Sequence, residues 1–269
     1  MLTKKNIAAA ISGLMLLGAL SSGVTAAAPA AASAAANKME APAVKKAKWE
    51  TVDEALNWMK KNKKSEQLLA LYDPADGLVL FYEGVYKLKT YKEFTRKQAQ
   101  YNGPAIPEPD ALPDGYRFKF GTVHSQHPQL FSKEYKQLQK QLKKEAAEKG
   151  EIYYFKELNW DASNRSALTY EKGKNYISII AEYNEELHEG VTQLPEKGVS
   201  REKLEIGGTE AVYVTYDGRK NGADRLEWNS GDGTVKFRIN SFGSGSVSKE
   251  EMMAIAETII SAQVKKNKK

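Results

Sequence analysis

Four short segments near the C-terminal end, Lys203 to Ile206, Glu210 to Tyr216, Arg225 to Asn229 and Thr234 to Ser241, are divided by Gly207-Gly208, Asp217 to Gly222 and Ser230-Gly231-Asp232-Gly233. Parallel strands need a crossover of a dozen residues or more, so connections this short require antiparallel neighbours. Side chains alternate between sheet faces. Leu226 and Trp228 therefore share a buried face with Val235, Phe237 and Ile239, while Lys236, Arg238 and Asn240 face solvent. Ser248-Lys249-Glu250-Glu251 then has the spacing of a capping box. After it, Met252, Ile255, Ala256, Ile259 and Ile260 form a wide apolar helical face, suited to lying on that sheet. The fold class expected is α+β: a curved, mainly antiparallel β-sheet with a C-terminal helix packed on it and additional N-terminal and surface helices.

Upstream segments extend the pattern. Thr51-Val52-Asp53-Glu54 has capping-box spacing before a helix whose apolar side is Val52, Ala55, Leu56 and Met59. Leu68 to Tyr72 and Leu78 to Glu83 flank the turn residues Asp73 to Gly77 and read as a hairpin, which Tyr86 to Lys89 would extend. Tyr91 to Tyr101 suits a short helix burying Phe94 and Ala99. Pro104, Pro107, Pro109 and Pro113 exclude a helix interior and mark an extended surface connection, the best internal boundary. Tyr116, Phe118 and Phe120 alternate with Arg117 and Lys119 as a strand does. A surface helix from Ser132 carries the narrow stripe Tyr135, Leu138, Leu142 and Ala146, and Gly150 closes it. Ile152 to Asn159, Ala167 to Glu171 and Tyr176 to Tyr183 read as successive strands.

The N-terminal end is of another kind. Lys4-Lys5, the apolar run Ile7 to Leu20 and small residues through Ala28 have the form of a secretory leader. The run is broken by Ser12-Gly13 and is shorter than the roughly 20 apolar residues of a spanning helix. The expected organisation is a leader over 1–28, a disordered Ala/Pro/Lys linker over 29–48, a helix-and-hairpin subdomain over 49–103, an α+β domain over 104–264 and a basic tail over 265–269. A secreted, loosely wall-associated product follows, with no transmembrane helix in its mature form.

Cysteine is absent, which excludes disulfides, thiolate metal ligands, a cysteine nucleophile and a lipid-anchoring cysteine. Export without disulfides fits a Gram-positive source. The net charge is +6, but the lysines of the leader, linker and tail more than account for it, leaving Trp49 to Val264 slightly acidic. A body without a basic stripe argues against nucleic acid as a partner. The basic ends suit an anionic cell-wall polymer, and an extracytoplasmic protein is the other partner class.

Motifs for chemistry are sparse. His124 and His127 form the one close histidine pair, and with His188 or Glu189 they are the candidate metal ligands. H-E-x-x-H is absent, Pro128 indicates a loop, and neither a metal centre nor any other cofactor is expected. Gly243-Ser244-Gly245-Ser246 lacks the order of a nucleophile elbow. Carboxylate pairs such as Glu227 with Asp232, or Asp73 with Asp76, are expected to stabilise turns or face solvent. Tyr153-Tyr154-Phe155 and Tyr213 to Tyr216 must send alternate rings to opposite faces, which makes Tyr154 and Tyr216 the candidate stacking residues.

Leu112-Pro113-Asp114-Gly115-Tyr116, Leu226-Glu227-Trp228-Asn229, the strand Val235 to Ser241 and the helix Ser248 to Ile260 together resemble domain of unknown function 4367. The resemblance implies an extracytoplasmic α+β module of spore-forming Gram-positive bacteria and supplies no active residues. The reading that follows is a secreted, non-enzymatic envelope protein with one sheet face offered to a wall polymer, peptide or protein. The alternative is a secreted enzyme acting on envelope glycan or peptide, metal-assisted through His124 and His127.

Overall fold

The computed structural model describes residues 49–184, 198–216, 224–243 and 247–267, with side chains to residue 264. Helix α1 (Val52–Asn62) is capped by the Thr51 hydroxyl, which accepts the Glu54 N–H at 3.2 Å. Strands β1 (Leu68–Asp73) and β2 (Leu78–Glu83) form the expected hairpin. Helix α2 (Tyr91–Gln100), strand β3 (Arg117–Ser125), helix α3 (Lys133–Lys149) and strand β4 (Tyr154–Leu158) follow. Strands β5 (Ser163–Lys172), β6 (Asn175–Tyr183), β7 (Val199–Ile206), β8 (Thr209–Tyr216), β9 (Arg225–Asn229) and β10 (Val235–Phe242) precede helix α4 (Lys249–Asn267).

These strands make two antiparallel sheets. The smaller has the order β2-β1-β4 and the larger, which is open, the order β3-β5-β6-β10-β9-β8-β7. All six residues of β1 are buried, because α1 lies on one face and α3 on the other. Ala55 and Met59 of α1 pack with Leu69 and Leu71, while Tyr135, Leu142 and Ala146 of α3 pack with Ala70 and Tyr72. The uninterrupted apolar run of β1 is what a strand covered on both sides requires. The stripe on α3 and its left-handed cap at Gly150 (φ 66°) stand as the spacing predicts.

Among the described residues, helices cover one face of the larger sheet. Phe94 from α2 and Met252, Ile255, Ala256, Ile259 and Ile260 from α4 join Leu168, Ile177, Ile179, Leu226, Trp228, Phe237 and Ile239 in one core. Ser248 and Glu251 cap α4 reciprocally, at 3.1 and 2.8 Å. No helix among the described residues is long and apolar enough to cross a membrane.

The structure departs from the sequence expectations in five places. Residues 86–89 do not extend the first hairpin; Leu88 makes a bridge to Gly121 on the outer edge of β3. In α2 the buried partner of Phe94 is Gln98, not Ala99, which is exposed. Gln98 Nε2 donates to Pro104 O at 2.8 Å, so a helix with little apolar surface is anchored by an amide. The proline-rich segment is a packed strap, with Pro104, Ile106 and Pro109 buried and Ile106 O accepting the Tyr91 hydroxyl at 2.8 Å. The two cores do not divide there: α2 belongs to the larger one, and α3 with β4 return to the smaller. Finally, a register shift between Phe118 and Phe120 breaks the alternation of β3.

Gly121 lets α2 approach β3. A Cβ built there would sit 2.5 Å from a ring carbon of fully buried Phe94. Gly121→Ala should therefore cost about 1–3 kcal/mol through overpacking. Shrinking the ring with Phe94→Leu in that background should recover part of the loss, whereas additive losses in urea denaturation would show that the contact does not matter.

Candidate functional site

The histidine pair is drawn apart by its partners. His124, near the end of β3, has Nδ1 2.8 Å from Glu83 Oε2 and Nε2 3.1 Å from Thr122 Oγ1. Ser125 N–H donates to the other oxygen of Glu83 at 2.5 Å. The order Thr-His-Glu has the form of a nucleophile, a base and an orienting acid. Thr122, however, is only 6% exposed, so its hydroxyl is closed to substrate and the relay holds the two sheets together. Glu83 ends β2 of the small sheet, and both its partners lie on the large one.

His127 instead stacks on Phe81, with centroids 4.4 Å apart and planes 12° apart. Pro128 does place it in a loop after β3. No group of three or more His, Cys, Asp or Glu side chains able to hold a metal ion is gathered among the described residues. His188 and Glu189 lie outside the described residues.

The two tyrosine candidates also separate. Tyr154 is 7% exposed, packed under α3, with its hydroxyl donating to Glu145 Oε2 and accepting from Lys149 Nζ, both at 2.9 Å. Lys156 joins the same carboxylate at 2.8 Å, and bonds from Lys156, Gln141 and Tyr154 hold the Glu145 pKa at about 2. Tyr154 is thus a core ring rather than a stacking surface, because both faces of the small sheet are covered. Tyr216 is half-buried on the helix-free face of the large sheet, with the Arg225 guanidinium 5.3 Å from its ring centre.

The face of the large sheet opposite α2 and α4 carries a cluster of charges centred on Glu227. The register sets Arg238 opposite Glu227 and opposite Ile180, with Lys236 opposite Glu182 and Arg165 opposite Glu182 from the other side. Glu227 is 7% exposed and meets Arg225 at 2.5 Å, Lys236 at 2.9 Å and Arg238 at 3.1 Å. Burial pushes its pKa up, but the Lys236 bond and the charges of Lys236, Arg225 and Arg238 outweigh that and hold it below the ordinary glutamate value. Arg165 Nε is buried with no hydrogen-bond partner. Lys236 also borders an open hollow of about 570 Å³ at the β9–β10 end. Strand position showed that Lys236 and Arg238 face outward; that Glu227 gathers them depends on register across the Ser230 turn.

Of the carboxylates expected to stabilise turns or face solvent, Asp232 and Asp73 do so at turns, whereas Glu227 is buried within β9 among three cations, because register across the sheet brings Lys236 and Arg238 to it. Asp232 accepts from the Ser230 hydroxyl at 2.6 Å, from Thr234 N–H at 3.0 Å and from the Thr234 hydroxyl at 2.8 Å, which together lower its pKa to about 2. Asp73 accepts the Ala75 N–H at 3.0 Å.

A second hollow, also of about 570 Å³, opens at the seam between the sheets. His127 borders it from one side and Asn159, Trp160 and Asp161 from the linker between β4 and β5 on the other. No family model, curated protein or solved structure matches this chain.

Both Glu83 and Glu227 are held below the 4.5 of a free glutamate. For Glu83, burial raises the pKa but the bond and charge of His124 and the Ser125 N–H overcome it. A depressed folded pKa means the unfolded chain takes up protons first, so this stabilisation is complete above 4.5 and disappears as pH falls through the folded values. The urea midpoint should accordingly drop across that acidic window. Glu227→Gln should flatten the drop, at a cost near neutral pH of about 1–3 kcal/mol for leaving the cations without their carboxylate; an unchanged acid limb in that variant would assign the loss to other groups.

Proposed function

We propose that the chain is a secreted, non-enzymatic protein of a Gram-positive cell envelope, which binds an anionic wall polymer on the helix-free face of its large sheet. The observation that carries this reading is the cationic set around Glu227. Arg165, Arg225, Lys236 and Arg238 share the central rows of that face with two acids, Glu182 and Glu227. Local charge is therefore positive although the body as a whole is slightly acidic. A flat, twisted sheet face suits an extended chain of repeating charges better than a compact ligand, and polar Ser178, Thr169 and Asn240 continue the track across neighbouring strands.

The leader-like N-terminus and the Ala/Pro/Lys linker support the extracytoplasmic side of this reading, as does the likeness to domain of unknown function 4367. The basic tail would add attraction without geometry, as flexible charges do in low salt.

Co-sedimentation with purified cell-wall sacculi tests the proposal. The pair Lys236→Glu and Arg238→Glu should weaken retention at least about tenfold at moderate salt. Removal of residues 265–269 should cost much less, and the effect of both should shrink as salt rises. Retention by the double variant equal to that of the parent protein would remove the sheet face from the reading. Release of soluble fragments from the sacculi would favour an enzyme instead.

A further inference from the structure

We infer that the hollow at the seam between the two sheets is a saccharide-binding site, distinct in place and chemistry from the cationic sheet face. Its walls come from segments far apart in the chain: Gln126 and His127 after β3, Glu134 on the first turn of α3, and Asn159, Trp160 and Asp161 after β4. At about 570 Å³ the hollow is of the size that holds a small ligand.

Two rings border it, and each is backed by another ring. His127 lies on Phe81 at 4.4 Å, and Trp160 lies on Tyr101 at 4.2 Å with planes 27° apart. The Trp160 N–H is already spent on Glu66 O at 2.9 Å. With its polar edge used and one face covered, what the indole can offer the hollow is ring carbon. Lys97, paired with Glu66 at 2.8 Å and 4.8 Å from the Tyr101 ring centre, fixes the backing ring in turn. Rings held in this way are oriented before a ligand arrives, which lowers the entropic cost of stacking.

The polar complement is planar and two-handed. Gln126 and Asn159 each bring an amide that both donates and accepts, and Glu134 and Asp161 bring acceptor pairs. None of these four side chains has a hydrogen bond or ion pair to another described side chain. A sugar ring presents an apolar C–H face and a rim of vicinal hydroxyls, each donor and acceptor at once. The C–H face matches a ring such as Trp160, and vicinal hydroxyls match amide and carboxylate pairs. Among the described residues no lysine or arginine borders the hollow, and its two acids would repel the polyanion proposed for the sheet face. A neutral glycan is therefore the occupant that fits.

Chitotetraose and cellotetraose, titrated into the mature protein and followed by amide chemical shifts and calorimetry, supply the test. Saturable binding of either in the micromolar to millimolar range is expected, with shifts centred on residues 126–134 and 159–162. Asp161→Ala and Asn159→Ala, both at exposed positions, should weaken binding about tenfold while leaving the melting temperature within about 2 °C. Trp160→Phe keeps a ring but loses the Glu66 bond, so its affinity is read only alongside its melting temperature. The Lys236→Glu, Arg238→Glu protein should bind the saccharide as the parent does, which separates this site from the sheet face. No saturable binding at 10-fold above the millimolar range, binding unaltered in both exposed variants, or preference for a lysine-containing tetrapeptide over both saccharides would overturn the inference.

Discussion

The carboxylate of Glu83 is the contact on which the arrangement of the two sheets depends. It ends the edge strand of the small sheet and takes the Ser125 N–H and the His124 ring from the edge strand of the large one. A half-buried carboxylate in such a place is costly unless its oxygens are satisfied, and here each oxygen has a donor. The Trp160 N–H on Glu66 O and the Lys97–Glu66 pair repeat the logic on the neighbouring side of the seam. Between them lies a gap of only about 10 Å³, room for roughly one water. The seam is therefore a polar joint whose geometry is set by directional bonds, in contrast to the apolar cores on either side.

That joint exists because the chain passes between the sheets repeatedly. It builds β1 and β2, leaves for Leu88, α2 and β3, returns for α3 and β4, and then completes the large sheet. The small sheet is finished only when β4 pairs with β1 across about ninety positions of sequence, as Leu68 opposite Leu158 shows. Neither half can be cut away at the proline strap without removing a covering helix or a strand from the other. The same interleaving brings the loop after β3 and the linker after β4 to one hollow.

Much of the architecture was legible because it is local. Capping at Thr51 and Ser248, the Gly150 stop, the α3 stripe and the outward Lys236, Arg238 and Asn240 all follow from side chains within a few positions of one another. The candidate sites were far less legible. His124 and His127 look like a pair in sequence, yet one turns to Glu83 and the other to Phe81, residues more than forty positions away. Tyr154 looked available because alternation says only that neighbouring rings take opposite faces; it does not say that α1 and α3 cover both. Trp160 drew no notice because its partners, Tyr101 and Glu66, are equally remote.

Sequence alone determined the class of the protein: antiparallel strands joined by short turns, capped amphipathic helices, an α+β body without cysteine and a charge concentrated at the ends. These depend on periodicity, on caps and on connection length, which act within a turn of helix or a hairpin. Tertiary structure alone decided the division into two sheets, the burial of Glu227 among three cations and the backed rings of the seam. Each of those depends on which distant strand edges pair and on which face a helix lands, and that choice is made by the total apolar area and polar satisfaction of the folded chain, not by any one segment of it.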